Sequence, residues 1–198
     1  AAAKQNQLTS TADLWQARDI LEKLKTADLE NYFQSNCIAA FQDQWRAKVG
    51  EIADDQAAII YPIVLTDRLE LLVVFPSQKE PPTIQPVSVA VGEVQIEAVV
   101  QTFREELQKG RYEPQSEGYL APAQQLYQWL IKPLQPLLTG KTIQTLVFVP
   151  CGALLTINLA ALHDGNQFLI EKYAVVLSPG VTLTLPATMS SPPKQIQM

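Results

Sequence analysis

Two residues of the chain have side chains suited to nucleophilic chemistry. Cys151 directly follows the apolar run TLVFVP (145–150), and His163 is the only histidine in the sequence. A thiolate nucleophile needs a nearby imidazole to accept its proton, and α/β proteins place reactive groups just after strand ends. Cys151 and His163 are therefore the candidate catalytic pair. The alternative interpretation makes Cys151 a small residue at a turn and His163 a structural part of the bend His163-Asp164-Gly165.

The structural interpretation is the one we expect for both residues. Nothing in the sequence looks like an oxyanion hole or a third group that would orient the histidine. The apolar segment TINLAAL (156–162) separates the two residues and is suited to packing between them. A cysteine hydrolase using Cys151 and His163 is therefore the weakest of the functions considered below.

Cysteine usage and composition exclude other kinds of site. Cys37 and Cys151 make no disulfide framework and fit a reducing compartment, so we expect a cytoplasmic protein. The sequence holds no CxxC motif and no cluster of cysteine and histidine, so we expect no metal site, and it predicts no cofactor.

The charge balance limits the partners. A net charge of −5 and a pI near 4.9 argue against binding nucleic acid, which needs a basic face, and against an anionic membrane surface. No apolar run approaches the ~18 residues of a transmembrane helix. The polar opening AAAKQNQLTS predicts no signal peptide. We expect a protein or peptide partner, as the leading function considered below implies.

Apolar runs and helical spacing alternate along the chain after residue 56, which predicts an α/β fold with a largely parallel sheet. Two runs separated by Asp67-Arg68 predict a β-hairpin, and TLVFVP predicts an interior strand. Pro86 is tolerable if its strand lies at an edge, and Pro133 and Pro136 should interrupt the second helix. The predicted strands are 57–66, 69–76, 83–90, 145–150 and 173–177, and the predicted helices are 91–110 and 122–138.

A helical segment precedes this region. Apolar residues recur at helical spacing from Thr11 to Phe33, which predicts two short helices or one bent helix, capped by Thr11 or Asp13. The apolar stripe of this segment should pack on the domain or on something preceding it; its members are Leu14, Ala17, Ile20, Leu21 and Leu24, then Ala27, Leu29 and Tyr32. We divide the chain into an N-terminal helical segment (1–50) and an α/β portion (51–198). In the helix 91–110, we expect one apolar face formed by Val94, Ile96, Val99, Val100, Phe103 and Leu107.

The run LVFVPCGALLTINLAALHDGNQFLIEKYAVVLSPGVTL (146–183) resembles the CHAT domain, a bacterial family related to caspase-type cysteine peptidases. That family commonly shows a strand ending in VP, a D-G pair, an arginine, an I-P pair, and then AALHDG and LIEKYAV. A second block, IIYPIVLTDRLELLVVFP (59–76), preceded by LENYF (29–33) and Cys37, also matches. Together the blocks cover roughly residues 27–186.

The resemblance implies a caspase-like three-layer sandwich, incomplete here, of a kind often found after tetratricopeptide repeats. In that family the nucleophilic cysteine and its histidine lie downstream of the blocks present here, and their motifs are not found. We therefore expect the N-terminal part only of a CHAT domain, a fragment or truncated product that lacks the catalytic dyad. Three positions also depart from the family pattern: Cys151 replaces the usual aspartate, Leu155 an arginine and Asn158 a proline.

Three functions follow from these observations. The leading one is the non-catalytic N-terminal portion of a CHAT peptidase or pseudopeptidase that acts through protein–protein interaction. The second is a stand-alone binding or scaffold module, and the third is the hydrolase using Cys151 and His163. The parent family consists of peptidases, but we expect this chain to be inactive. An incomplete sheet should also leave an edge exposed, through which the chain could self-associate.

Overall fold

The fold is built on one mixed five-stranded sheet. A computed structural model describes residues 10–33, 56–77, 80–110, 112 and 115–180, with the side chains of 28–33 excepted. The strands are β1 (Ala57–Val64), β2 (Leu69–Phe75), β3 (Thr83–Val89), β4 (Thr145–Phe148) and β5 (Ala174–Leu177). Their order across the sheet is β3-β2-β1-β4-β5.

Half of the sheet is an antiparallel meander. β1 and β2 form the predicted hairpin, with Ile60 opposite Val73, and its turn is closed by the Leu65 amide, which donates to the Arg68 carbonyl at 2.8 Å. β3 pairs with β2 at the edge, where Pro86 lies opposite Leu72. The predicted edge position of this strand is confirmed.

The other half is parallel. β4 pairs with β1 on one side and with β5 on the other, so the prediction that 145–150 contributes an interior strand is confirmed. The α/β class is confirmed as well. The sheet is mixed rather than largely parallel, because the hairpin and its continuation into β3 occupy three of the five strand positions.

Helices α2 (Glu93–Lys109) and α3 (Leu120–Leu130) cover one face of the sheet. Alternate residues of β1 and β2 point into the core beneath them, as the period of two in a strand requires. After α3 come a 3-10 turn (Lys132–Leu134) and the short α4 (Gln135–Leu138), so the predicted interruption near the prolines is confirmed. The core residues of largest volume on this face include Phe103, Phe148, Ile60, Leu69, Leu71 and Leu126.

The predicted apolar face of α2 is wrong at one end. Ile96, Val100 and Phe103 are buried, but Val94 is 78% exposed. Val94 is the second residue of the helix, and the preceding chain is held against the β1–β2 turn by the Glu93 amide, which donates to the Leu65 carbonyl at 2.9 Å. Val94 and Ile96 are two residues apart and so point to different faces of the helix, which means that Val94 cannot share the buried face of Ile96.

Helix α1 (Thr11–Phe33) lies on the opposite face. It is one continuous helix, not two, and its cap is Ser10 rather than Thr11 or Asp13: the Ser10 Oγ accepts from the Asp13 amide at 3.1 Å. On this face, Leu14 of α1 packs with sheet residues of the alternate set; the sheet residues are Ile59, Tyr61, Leu72, Val74, Ile84 and Val149.

The predicted inward stripe of α1 is correct at Leu14 but wrong at Ile20 and Leu24. Among the described side chains of this helix, the most buried are Leu14, Arg18, Glu22 and Thr26, which follow one another at intervals of four along one side. Ile20 and Leu24 are each 56% exposed. Polar partners on the sheet, described below, draw the charged row inward and leave the two apolar side chains outside.

The finer architecture stays a prediction. In the part of the chain that the structure describes, α1 is the one helix on its face, so the caspase-like three-layer sandwich is not established. The predicted division at residue 50 falls within 34–55, outside the described residues, as does Cys37. Within the described ranges, no helix is long and apolar enough to cross a membrane.

Candidate functional site at the carboxyl ends of the parallel strands

Pro62 ends the parallel ladder between β1 and β4. The ladder runs from Ala57 opposite Thr145 to Ile60 opposite Phe148, and the Val149 amide donates to the Ile60 carbonyl at 2.9 Å. The next bond in a parallel ladder would need an N–H at residue 62, and proline has none. The two strands therefore stop pairing at this point, and the chain after β4 is free to turn away.

Cys151 occupies the position where the strands separate. Its half-buried thiol donates to the Pro62 carbonyl with an Sγ–O distance of 3.3 Å. One residue earlier, the Pro150 carbonyl accepts from the Lys25 Nζ of α1 at 2.6 Å. The end of β4 is therefore tied both to β1 and to the helix on the opposite face of the sheet from α2.

His163 lies in a separate tight bend. Its Nδ1 accepts from the Gly165 amide at 3.0 Å, and its ring meets the Phe168 ring edge-on at 4.9 Å between centroids. Gly165 has a φ of 108°, in the region that favours glycine. His163 is 9% exposed, so its ring is held as part of the bend.

Asp164 organises the same bend. One carboxylate oxygen accepts from the amides of Asn166 (2.7 Å) and Gln167 (2.8 Å), and the other accepts from the Lys172 ammonium. The Lys172 hydrogen bond, with the two amide bonds behind it, holds the pKa of Asp164 well below its ordinary value.

The hydrogen bonds of the two candidate catalytic residues go to other groups. The Cys151 thiol donates to the Pro62 carbonyl, and the His163 Nδ1 accepts from the Gly165 amide. The chain after the histidine bend enters β5 at Ala174, opposite Thr145, which is the first residue of β4. Cys151, in contrast, follows the other end of β4, after Phe148. A catalytic role for either residue, and the absence of one, both stay predictions.

A buried polar cluster links α1 to β1, and the sequence analysis missed it. The Tyr61 hydroxyl donates to the Glu22 Oε1 at 2.7 Å and accepts from the Arg18 Nε at 3.3 Å. Burial, followed by the Glu22 carboxylate, raises the pKa of Tyr61 far above its ordinary value, so the hydroxyl keeps its proton and donates it. The sequence did contain a signal for this cluster. Leu14, Arg18 and Glu22 are spaced at intervals of four, so the two charged residues lie on the same helix face as the core residue Leu14.

No group of histidine, cysteine and acidic side chains suited to a metal ion occurs within the residues that the structure describes.

We expect the Asp164 carboxylate to make stability depend on pH. Since its pKa is lower in the folded chain, it stabilises the fold at pH values above its ordinary pKa, near 4. That contribution disappears as the pH falls from there through the folded value. Asp164→Asn should therefore unfold at lower urea than the wild type at pH 7, with the difference shrinking at pH 3.

The control for this prediction is Asp67→Asn at the hairpin tip. The Asp67 side chain is 69% exposed and pairs with Arg68 on the surface, where an ion pair contributes little. A gap between Asp164→Asn and the wild type that stays the same from pH 7 to pH 3 would contradict the prediction.

Comparison with known families supports the resemblance noted in the sequence. The CHAT domain family model matches residues 120–197, which confirms the predicted resemblance to the CHAT domain. The match begins at α3 and covers β4, Cys151, the histidine bend and β5. The blocks quoted from the sequence covered roughly residues 27–186, so the match both begins and ends later along the chain. A search of curated proteins found no match.

Proposed function

We propose that this chain is a non-catalytic portion of a CHAT-type, caspase-like peptidase or pseudopeptidase, and that it acts through protein–protein interaction at the β5 edge of its sheet. The CHAT match over residues 120–197 supports the family, and the exposed apolar edge is the observation that carries the binding role. The occupant that we propose for this edge is β5 of a second copy of the chain.

β5 has the properties of a strand that can pair further. Within the described ranges, β4 is its one neighbour in the sheet, so its outer edge presents free backbone amides and carbonyls. The strand AVVL contains neither a charge nor a proline, the usual features that prevent edge pairing. Val176 and Leu177 are 44% and 43% exposed, which adds apolar surface beside the open edge.

The opposite edge of the sheet is protected. β3 carries Pro86, which cannot donate to a ladder, and its exposed Ser88 hydroxyl is bound to the Glu70 carboxylate at 2.5 Å. Because one edge is blocked and the other is bare, association should be confined to β5.

A second copy is favoured because β5 is complementary to itself. Two antiparallel β5 strands related by a two-fold axis would pair every free backbone group of one with the other, and would bring the two apolar exposed patches together. A four-residue strand buries little area, so the dimer should be weak and dependent on concentration.

Val176→Lys is expected to abolish this association. A lysine at this position would place like charges beside each other across the two-fold axis. Sedimentation velocity over increasing protein concentration should show a monomer–dimer equilibrium for the wild type and a monomer for the variant. The matched control is Val94→Lys, since Val94 is also an exposed valine but lies on α2.

A wild type that stays monomeric at every concentration would overturn the second copy as the occupant of this edge. If Val94→Lys weakens the association as much as Val176→Lys does, the proposal that the dimer forms through β5 is overturned.

Peptide cleavage is not expected of the purified chain. The Cys151 thiol is engaged with the Pro62 carbonyl, and the histidine is engaged within its own bend, which supports a structural role for both. A broad peptide library should be left intact by the wild type and by Cys151→Ala alike. Cleavage that disappears in Cys151→Ala would contradict this, and would favour the hydrolase that uses Cys151 and His163.

A further inference from the structure

The contact between α1 and the sheet is unusually polar for a helix on a sheet. Among the side chains of α1 that the structure describes, three of the four most buried are Arg18 (7% exposed), Glu22 (4%) and Thr26 (5%). Leu14 is the one fully buried apolar residue among the described side chains of this helix, and Trp15, Ala17 and Leu21 are only partly buried. Among the described side chains of α1, the apolar burial that gives most helices their attachment comes mainly from Leu14.

The polar contacts are not fully satisfied. The Arg18 guanidinium donates through Nε to Tyr61 and through Nη1 to Asp19, but its buried Nη2 has no hydrogen-bond partner in the described part of the chain. A buried donor without a partner loses its hydration and gains nothing in return. This loss is present only while α1 is docked.

Buried charges fix the position of a helix on its sheet more effectively than they stabilise its attachment. The desolvation of a buried ion pair offsets much of its attraction, and replacing both partners by apolar residues is often stabilising. Arg18 and Glu22, bridged by the Tyr61 hydroxyl, fix where α1 sits along the sheet. They do not supply the attachment that Ile20 and Leu24 would give if those side chains faced inward.

We propose that α1 is a releasable cover, which leaves the sheet as one unit while the five strands, α2 and α3 stay folded. Release frees two things at once: the apolar face around Ile59, Tyr61 and Val149, and the Pro150 carbonyl that Lys25 holds beside Cys151. The fold thus contains a second surface that α1 masks, on the face of the sheet away from α2.

Hydrogen exchange measured by mass spectrometry tests this in the full chain. Amides of α1 should exchange through an opening that costs less than global unfolding, so they exchange faster than amides of β1 and β2. The variant Arg18→Met, Glu22→Leu and Tyr61→Phe removes both charges together with the hydroxyl that joins them, so this hydroxyl is not left buried without a partner. It should slow exchange in α1 by about tenfold and leave β1 and β2 unchanged.

Leu14→Ala provides the opposite change, because it removes the buried apolar anchor of the helix. It should speed exchange in α1 alone. The proposal is overturned if wild-type α1 and β1 exchange at one common rate, if the triple variant speeds exchange in α1, or if Leu14→Ala speeds exchange in the whole sheet equally.

Discussion

Phe103→Ala is expected to lower the free energy of unfolding by about 3–5 kcal/mol, as truncation of a large buried aromatic does. Phe103 lies in the middle of α2, is 0% exposed and belongs to the core cluster between the helices and the sheet. Its removal takes away the transfer free energy of the ring and leaves a cavity between two layers that are fixed by their own hydrogen bonds. Urea denaturation followed by circular dichroism measures the change.

Val94→Ala on the same helix is the matched control. Val94 is 78% exposed, so its truncation should change the free energy of unfolding by less than about 0.5 kcal/mol. Two variants of equal stability would show that α2 does not pack on the sheet through Phe103.

Gly92→Ala is expected to destabilise the chain by about 1–3 kcal/mol, the range for forcing extra atoms into a packed site. A Cβ at this position would lie 2.3 Å from the Thr66 carbonyl oxygen, which belongs to the backbone and cannot rotate away. The segment is also fixed on both sides: the Gly92 amide donates to the Gln95 side chain at 3.0 Å, and the Glu93 amide donates to Leu65. The clash must therefore separate α2 from the hairpin.

Gly110→Ala is the control at the other end of the same helix. Its backbone is helical, with φ −57°, and a Cβ there would meet its nearest atom at an ordinary 3.6 Å. Alanine reduces the freedom of the unfolded chain, so this variant should be stabilised by about 0.4–1 kcal/mol. Thermal unfolding should thus move the two glycine variants in opposite directions, and a shift of the same sign in both would contradict the argument.

The sequence predicted the sheet well because its strands are marked by unbroken apolar character. β1, β2 and β4 are runs of branched residues that no helix pattern fits, and Pro86 restricted β3 to an edge. What apolar runs cannot show is direction. The antiparallel hairpin β1–β2 was predicted from its short turn, but the neighbours of β4 across the long α2–α3 crossover came only from the structure.

The face of α1 was mispredicted for a physical reason. Periodicity assigns the apolar side to the core, and Ile20 and Leu24 fit that rule. The rule fails when the sheet presents a buried hydroxyl such as Tyr61, because a charged row that can bind it competes with apolar burial. The polar partner is a tertiary feature, which a local pattern does not contain.

The candidate site was predicted in position but not in its contacts. Cys151 does follow a strand end, as the run TLVFVP indicated, and the HDG bend does exist. Pro62 ends the β1–β4 ladder only because of its register against Val149, and this register cannot be read from the sequence. Lys25 comes from a helix 125 residues earlier in the chain, and only the fold brings it to Pro150.

The division of the sheet into an antiparallel half and a parallel half also bears on the order of folding. β1, β2 and β3 are joined by short connections, so their contacts close small loops and cost little chain entropy. Ile60 and Phe148 are neighbours in the sheet but are separated in sequence by β2, β3 and both crossover helices, so their pairing closes a long loop. Non-local pairing of this kind is slow. The meander should therefore form early and act as a template, while β4 and β5 are added in the rate-limiting step.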